Sequence, residues 1–355
     1  MSYLNDSKSL TDNHSENFIS EEYALPDSVT YTLLGLHIIL VCTSLMANAI
    51  VLIYFLSIKR AKTNANYYLV ALAVSDILLT VWCEPFTVFS NLVNYHWIFG
   101  HFMCSSVGYI QTACVIQRSF TLVASSVDRY LAIRWPLKEQ APCLVVAGII
   151  AAIWIVSLVF AAPVAMFTDM VYDEYENTSG ICLEVWPRDD FRQAFSTALL
   201  IATYVIPLLV LTLTYGHIIL ILDAKPPGEE YEQLMRRRRA VKRKTIRVFL
   251  LAFFAYAVCW LPIHAITIAG DISPQIYDSK LVHILWLFAQ CLAVSNSAIS
   301  PIIVLTAERK FPAKIKRQVC SLNSDRKGSI PVRKTSFTML MSRITKRRST
   351  QETSV

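Results

Sequence analysis

Long runs of apolar residues separated by short polar segments dominate the pattern along the chain. Seven runs approach or exceed the roughly 20 residues that a helix needs to cross a bilayer; they lie at about 31–57, 66–93, 101–133, 144–168, 195–222, 246–270 and 281–306. Hydrocarbon offers the backbone no hydrogen-bond partner, so each run must be a helix. The pattern therefore predicts an all-α membrane protein, a seven-transmembrane helix bundle.

Composition and charge agree with this fold class and orient it. The chain of 355 residues is 54% hydrophobic and only 17% charged, and its net charge of +7 is concentrated near 59–62, at 236–244 and in the carboxyl-terminal tail. These segments share one face, which the positive-inside rule makes cytoplasmic. We expect a multi-pass protein of the plasma membrane with its amino terminus outside and its carboxyl terminus inside. The polar, acidic start shows no cleavable signal, so the first span should direct insertion.

Modification motifs divide the chain in the same way. Asn5, Asn13 and Asn177 fit the glycosylation pattern, and all three fall on the outer face. We expect a glycosylated extracellular segment at 1–30, the bundle at 31–306, an amphipathic helix at 307–320 and a disordered cytoplasmic tail at 321–355.

The cysteines suggest one disulfide and one lipid anchor. Cys104 and Cys182 both reach the oxidising side of the membrane, so we expect them to be bonded. Cys320 ends the short amphipathic segment, which should lie on the membrane lipids as an eighth helix and carry a palmitoyl group there. The alternative for Cys320 is an unmodified thiol.

A cation and an acid are predicted to meet inside the bundle. Arg118 lies on the polar stripe of the third run, and Asp76 lies in the middle of the second run at a matching depth. Either charge alone would be costly in the membrane, so we predict that they pair directly or through water. The alternative is that Arg118 extends its long side chain to an interface.

Several motifs together resemble the rhodopsin-class G-protein-coupled receptors over about 31–320. They are the seven runs, the two outer cysteines and a set of short motifs: "LAVSD" at 72–76, "DRY" at 128–130, Trp154, Pro207, Tyr215 and "CWLP" at 259–262.

The resemblance implies roles for particular residues in the switch. Asp128 would hold Arg129 in the resting state, and this arginine, followed by Tyr130, would later face a heterotrimeric G protein. Pro262 should bend the sixth helix because proline has no N–H to donate. Trp260 would sense the ligand.

The sequence departs from the family pattern in the seventh run. Where the family has Asn-Pro-x-x-Tyr, this chain has Ser300, Pro301 and Val304. Tyr215 would therefore lack its usual tyrosine partner, so a receptor that binds peptide without strong coupling stays an alternative. Arg118 stands where the family commonly has a serine that helps to hold sodium, so we expect no sodium or other metal site.

The candidate ligand site favours a peptide over an amine. Gln111 stands where amine receptors carry an aspartate, and a neutral amide cannot neutralise an amine. A peptide amide would instead suit a cavity with several donors and acceptors, predicted to be Thr87, Gln111, His264 and Gln290. Asp271 could pair with a ligand arginine, and an acidic outer face, including Glu184, would steer a basic ligand. These features resemble receptors of the neuropeptide Y, neuropeptide FF and RYamide type, whose ligands end in arginine, an aromatic residue and a carboxamide.

The tail suggests intracellular partners. It is rich in serine and threonine, which favours phosphorylation and arrestin binding. It ends with Thr353 and Val355 in a pattern that a PDZ domain could bind.

Other function classes fit less well. A secondary transporter could also use an intramembrane ion pair, but no internal duplication is visible. No arrangement typical of an enzyme, a cofactor site or a nucleic-acid partner was found in the sequence.

Overall fold

A computed structural model of the chain describes residues 25–57, 63–94, 96–135, 139–172, 180–223, 230–273, 275–276 and 279–307, with side chains for all of these except 56–57, 222–223 and 230–249. Within these residues the long helices are α1 (Asp27–Ser57), α2 (Asn64–Val93), α3 (Gly100–Arg134), α4 (Cys143–Phe167), α5 (Asp189–Leu200, Ile201–Val205 and Ile206–Asp223), α6 (Glu230–Ile272) and α7 (Lys280–Ala307).

Six helices in the described part of the chain are long and apolar enough to cross a membrane, and α3 is the long helix that falls short. Its reduced apolar content comes from polar residues in its middle, which are buried inside the bundle. It packs against α2, α4 and α5. This polar stretch of α3 therefore lies among apolar neighbours, which keeps its side chains away from lipid.

Helix α6 begins much earlier than the apolar run at 246–270 predicted. It starts at Glu230, so the basic segment 236–244, expected in a loop, has helical backbone. After Gly228 the sequence has no glycine or proline before Pro262 and consists largely of good helix formers. The charge of this segment predicts its side of the membrane, whereas the helix propensity of its residues decides where the helix begins.

Two prolines follow one-turn π segments. Pro85 comes two residues after Leu79–Cys83, and Pro207 comes two residues after Ile201–Val205. Proline cannot donate to the carbonyl four residues earlier. In α5 that carbonyl belongs to Thr203, and it accepts hydrogen bonds from Ser119 at 3.1 Å and from the buried hydroxyl of Tyr256. The irregular turn thus joins α5 to α3 and α6.

The second outer loop contains a hairpin that the sequence analysis did not predict. Strands β1 (Thr168–Tyr172) and β2 (Gly180–Glu184) are antiparallel, with Met170 opposite Cys182. The backbone N–H of Trp97 donates to Gly180 at 2.8 Å, which attaches the first outer loop to the second. The hairpin and this bridge form a cover over the end of α2 and the start of α3.

Candidate functional site

A cavity of about 390 Å³ lies beneath the hairpin. The disulfide between Cys104 and Cys182 forms part of its wall and fixes β2 to the first turns of α3, with Cα atoms 5.7 Å apart. The first outer loop closes another side, where the indole of Trp97 donates to Gly100 at 3.0 Å. Gly100 has a φ of 77°, a conformation that favours glycine.

Two of the six predicted ligand residues line this cavity. They are Thr87 of α2 and Gln111 of α3, and Trp286 of α7 lies on the same wall. The hydroxyl of Thr87 donates to the carbonyl of Cys83 at 3.0 Å, which leaves its oxygen lone pairs available to a ligand. Glu184, on β2, is the acid among the described lining residues, and its Oε2 accepts from the indole of Trp186 at 2.8 Å.

The other four predicted residues lie elsewhere. Trp260 and His264 belong to a ladder of rings on α6: the ring centroids are 6.1 Å apart from Tyr256 to Trp260 and 5.9 Å apart from Trp260 to His264. Gln290 is buried in α7. None of these residues, nor Asp271, belongs to the described lining of the outer cavity.

Asp271 already has an ion-pair partner within the protein. Nη1 of Arg192 lies 3.2 Å from Oδ1 of Asp271, and the side chain of Gln193 donates to the backbone carbonyl of Asp271 at 2.7 Å. Arg192 comes from the first turn of α5, which begins before the apolar run predicted at 195. The sequence predicted Asp271 as a partner for a ligand arginine, whereas in the structure its carboxylate is paired with Arg192.

The intramembrane charges meet deep in the bundle. Asp76 and Arg118 are 2% and 3% exposed, and Nη1 of Arg118 donates to Oδ1 of Asp76. Ser297 donates to the same carboxylate oxygen at 3.0 Å. Nη2 of Arg118 donates to Ser300 at 2.7 Å. The guanidinium therefore links α3 to both α2 and α7.

Asn296 extends this network towards the ring ladder. The surrounding groups favour the amide orientation in which its oxygen accepts from Nη2 and Nε of Arg118, both at 3.1 Å, and from the indole of Trp260 at 3.3 Å. In that orientation its nitrogen donates to Ser300 at 3.2 Å. Trp260 and Arg118 were predicted as separate features, and Asn296 is the residue that connects them.

The halves of the helices that lie away from the hairpin carry the predicted switch residues. Asp128 accepts a hydrogen bond from the side chain of Asn64 on α2 at 3.1 Å. The hydroxyl of Tyr130 lies 3.0 Å from Nδ1 of His217 on α5. Tyr215 is buried in an apolar cluster. Arg129, next to Asp128, lies in the same end of α3.

Two of the predicted switch residues are prolines in α6 and α7, and Val304 follows the second of them by three residues. Pro262 and Pro301 lie inside continuous helices α6 and α7. A small cavity of about 40 Å³ adjoins Asp76 and Arg118 and is also lined by Val304. The isopropyl group of Val304 offers no hydroxyl to this space.

The remaining predicted modification and tail sites, Asn5, Asn13, Asn177, Cys320, Thr353 and Val355, lie outside the described residues.

The bundle, its outer cavity and its inner polar network define a seven-helix membrane receptor. Residues 47–303 match the family model of the 7 transmembrane receptor (rhodopsin family), and the chain belongs to this family. This confirms the rhodopsin-class resemblance and the receptor class, and it argues against the transporter and enzyme alternatives.

Particular relatives are neuropeptide receptors. The chain is 31% identical to the RYamide receptor of Drosophila melanogaster over 76% of its own length and 59% of that protein. It is 32% identical to the RYamide receptor of Tribolium castaneum, over 78% of the chain and 77% of the relative. It is 33% identical to prokineticin receptor 1 of Homo sapiens, over 76% and 70%.

Proposed function

We propose that this receptor binds the end of a basic, carboxyl-terminally amidated peptide in the outer cavity and transmits binding to a heterotrimeric G protein. The observation that supports this proposal most directly is that Thr87 and Gln111 share a wall of the cavity under the hairpin. Glu184 is the acid among the described lining residues. Hydroxyl and amide groups hydrogen-bond a carboxamide without requiring it to be charged. The RYamide receptors among the relatives support the same ligand class.

Two acids could receive the arginine of such a peptide. Glu184 belongs to the cavity lining and is exposed, so a guanidinium can reach it directly. Asp271 would first have to release Arg192, because that arginine holds its carboxylate at 3.2 Å. We therefore assign first contact to Glu184, and exchange of Arg192 for the ligand arginine to a later step.

The contacts of Trp260 provide a route from the ring ladder of α6 to the inner network. Its indole reaches Asn296, which in turn contacts Arg118, so a shift of the ring ladder changes hydrogen bonds at the ion pair. Asp128, Arg129 and Tyr130 lie at the proposed cytoplasmic end of the helix that carries this arginine. A ligand that moves Trp260 can thereby favour one packing of α3 against α7 over another.

A second candidate function is peptide capture without strong coupling. Val304 favours it, because the inner cavity beside the ion pair lacks the hydroxyl through which Tyr215 would otherwise be held. Binding and internalisation through arrestin would then be the output. The serine- and threonine-rich tail and its terminal Thr353 and Val355 supply the proposed arrestin and PDZ contacts in either case.

The decisive experiment measures binding and G-protein activation together in cells expressing the receptor. The ligands are peptides ending in Arg-Phe-amide or Arg-Tyr-amide, with the matching free acids as controls. We expect the free acids to be at least about tenfold weaker, because a carboxylate replaces an amide that donates hydrogen bonds. Binding without activation would favour the second candidate, and absence of binding by all four peptide types would refute the ligand class.

Variants of the acids and of Arg192 then test which acid binds the arginine of the peptide. Glu184→Gln should weaken the amidated peptides about tenfold or more, while Asp190→Asn, which alters an exposed acid paired with Arg188, should not. Arg192→Gln separates the two acids: if the ligand arginine replaces Arg192, this variant should bind more tightly. Unchanged affinity in both Glu184→Gln and Arg192→Gln would refute the assigned order of contacts.

The proposed orientation is tested by antibody access. An epitope added before Asn5 should be detected on intact cells, and one added after Val355 only after permeabilisation. The reverse result would overturn the topology and with it the assignment of the outer cavity.

A further inference from the structure

A second cavity opens between α1 and α2, away from the proposed peptide site. It has a volume of about 290 Å³ and shares no described lining residue with the outer cavity. Ile38 and Val93, on its lining, are 55% and 51% exposed on the outside of the bundle. Because both helices are membrane spans, this opening faces lipid.

The lining is apolar except for two buried polar side chains. Glu84 of α2 is 2% exposed, and its Oε2 is fully buried with no hydrogen-bond partner among the described residues. His37 of α1 is 3% exposed, and its Nδ1 lies 2.9 Å from the carbonyl of Leu33. A carbonyl can only accept, so Nδ1 carries the hydrogen, and the neutral ring leaves Nε2 as an acceptor.

The surroundings of Glu84 differ from those of Asp76, the acid of the buried ion pair. Asp76 has a guanidinium and a hydroxyl against its carboxylate, whereas the lining around Glu84 contains no lysine or arginine. An isolated carboxylate in an apolar wall is an uncompensated charge, which the neutral acid avoids. A neutral carboxyl still needs hydrogen-bond partners, and acids inside spans commonly mark sites of function.

We infer that this cavity binds a membrane lipid with a single uncharged hydroxyl head, of the sterol class. Such a hydroxyl can both donate and accept, so it can satisfy the neutral carboxyl of Glu84 and donate to Nε2 of His37. Leu34, Val41 and Val88 supply apolar contacts for the ring system. The volume is just below the roughly 300–1,000 Å³ of small-ligand sites, so the tail of the lipid remains in the bilayer.

The test is photolabelling of the purified full-length receptor in nanodiscs with a diazirine-bearing cholesterol analogue. Labelled peptides are mapped by mass spectrometry, with and without excess cholesterol. We expect competed labelling within 34–42 and 84–93. A site defined by the neutral carboxyl predicts that Glu84→Leu lowers labelling about tenfold, whereas Glu84→Gln, which keeps a donor and an acceptor, changes it little.

The matched control is Glu184→Gln, which alters the acid of the outer cavity and should leave labelling unchanged. If Glu84→Leu does not fold, as judged by size-exclusion chromatography, Val88→Trp should block labelling by filling the cavity while keeping the acid. Labelling that is not competed, or that is indifferent to both Glu84→Leu and Val88→Trp, would show ordinary contact with annular lipid and overturn the inference. Loss of labelling in Glu84→Gln, with competition by a long-chain amine, would also overturn it, because the site would then require a cation.

Discussion

The ion pair between Asp76 and Arg118 predicts unequal effects of removing its two charges. In Asp76→Asn the guanidinium stays buried without its counter-charge, and arginine cannot lose its proton in a protein. Its bonds to Ser300 and Asn296 remain, but both partners are neutral. In Arg118→Met the carboxylate keeps Ser297 and can become neutral by taking up a proton.

The magnitudes follow from this asymmetry. Removing one partner of a buried pair typically costs about 3–5 kcal/mol, and we expect Asp76→Asn to fall in that range. Arg118→Met should cost less, about 1–3 kcal/mol, because the acid left behind can neutralise. The double variant Asp76→Asn with Arg118→Met removes both charges, so it should be no less stable than Asp76→Asn alone.

The measurement is thermal unfolding of the detergent-solubilised receptor, together with surface expression. Ser157→Ala is the matched control, since this buried serine on α4 bonds only to the carbonyl of Ile153 within its own helix in the described contacts. Equal losses in the two single variants, or a double variant that loses the sum of both, would refute the argument that an uncompensated guanidinium is the main cost.

Three further predictions test other parts of the structure. Replacing sodium by a large organic cation should leave agonist affinity unchanged, and Arg118→Ser should create sodium dependence; a sodium effect in the unaltered receptor would contradict the built-in cation. Tyr256→Phe should lower unfolding stability by only about 0.5–1.5 kcal/mol, since Ser119 still bonds the Thr203 carbonyl; a much larger loss in thermal unfolding would indicate a further role of the hydroxyl. Cys104→Ser and Cys182→Ser should each lower surface peptide binding to the same extent, with no added loss in the double variant, because the same bond holds the hairpin; additive losses would contradict this.

The sequence predicted best those features that depend on depth in the membrane. The positions of the runs, and of Asp76 and Arg118 within them, follow from the cost of placing polar groups in hydrocarbon. That cost depends on the distance of a residue from the end of its helix, which can be counted along the chain. The structure accordingly brings these two side chains into contact.

Features that depend on how separate segments approach each other could not be predicted. The pairing of Asp271 with Arg192 requires α5 to start at Asp189, before any apolar residue signals a span. The outer hairpin depends on pairing across residues 173–179, and its strands are only five residues each. Short strands without an apolar core of their own give little periodicity to recognise.

Glu84 was not predicted as a site residue, although the sequence already shows an acid at this position of an apolar run. It is an acid inside the second apolar run, about two turns from Asp76 in the direction of the hairpin. Asp76 has a basic residue, Arg118, at a matching depth in the sequence, whereas Glu84 has none. An acid without a partner in the sequence is the more informative of the two, since its partner must come from the backbone, from a distant helix or from a ligand.

A cation built into α3 changes how the receptor can switch. A bound metal ion can leave when the helices rearrange, whereas Arg118 must move with its own helix. The guanidinium touches Asp76 on α2 and Ser300 on α7, and Ser297 of α7 donates to the same carboxylate. The two helices α2 and α7 can therefore separate only if the Ser297 bond and one of the guanidinium contacts break. Because charge-assisted bonds to a carboxylate are stronger than bonds to neutral groups, the contact with Ser300 should break first. Movement of α7 relative to a fixed unit of α2 and α3 is therefore the rearrangement that this network permits at the lowest cost, and Trp260, which shares Asn296 with Arg118, is placed to drive it.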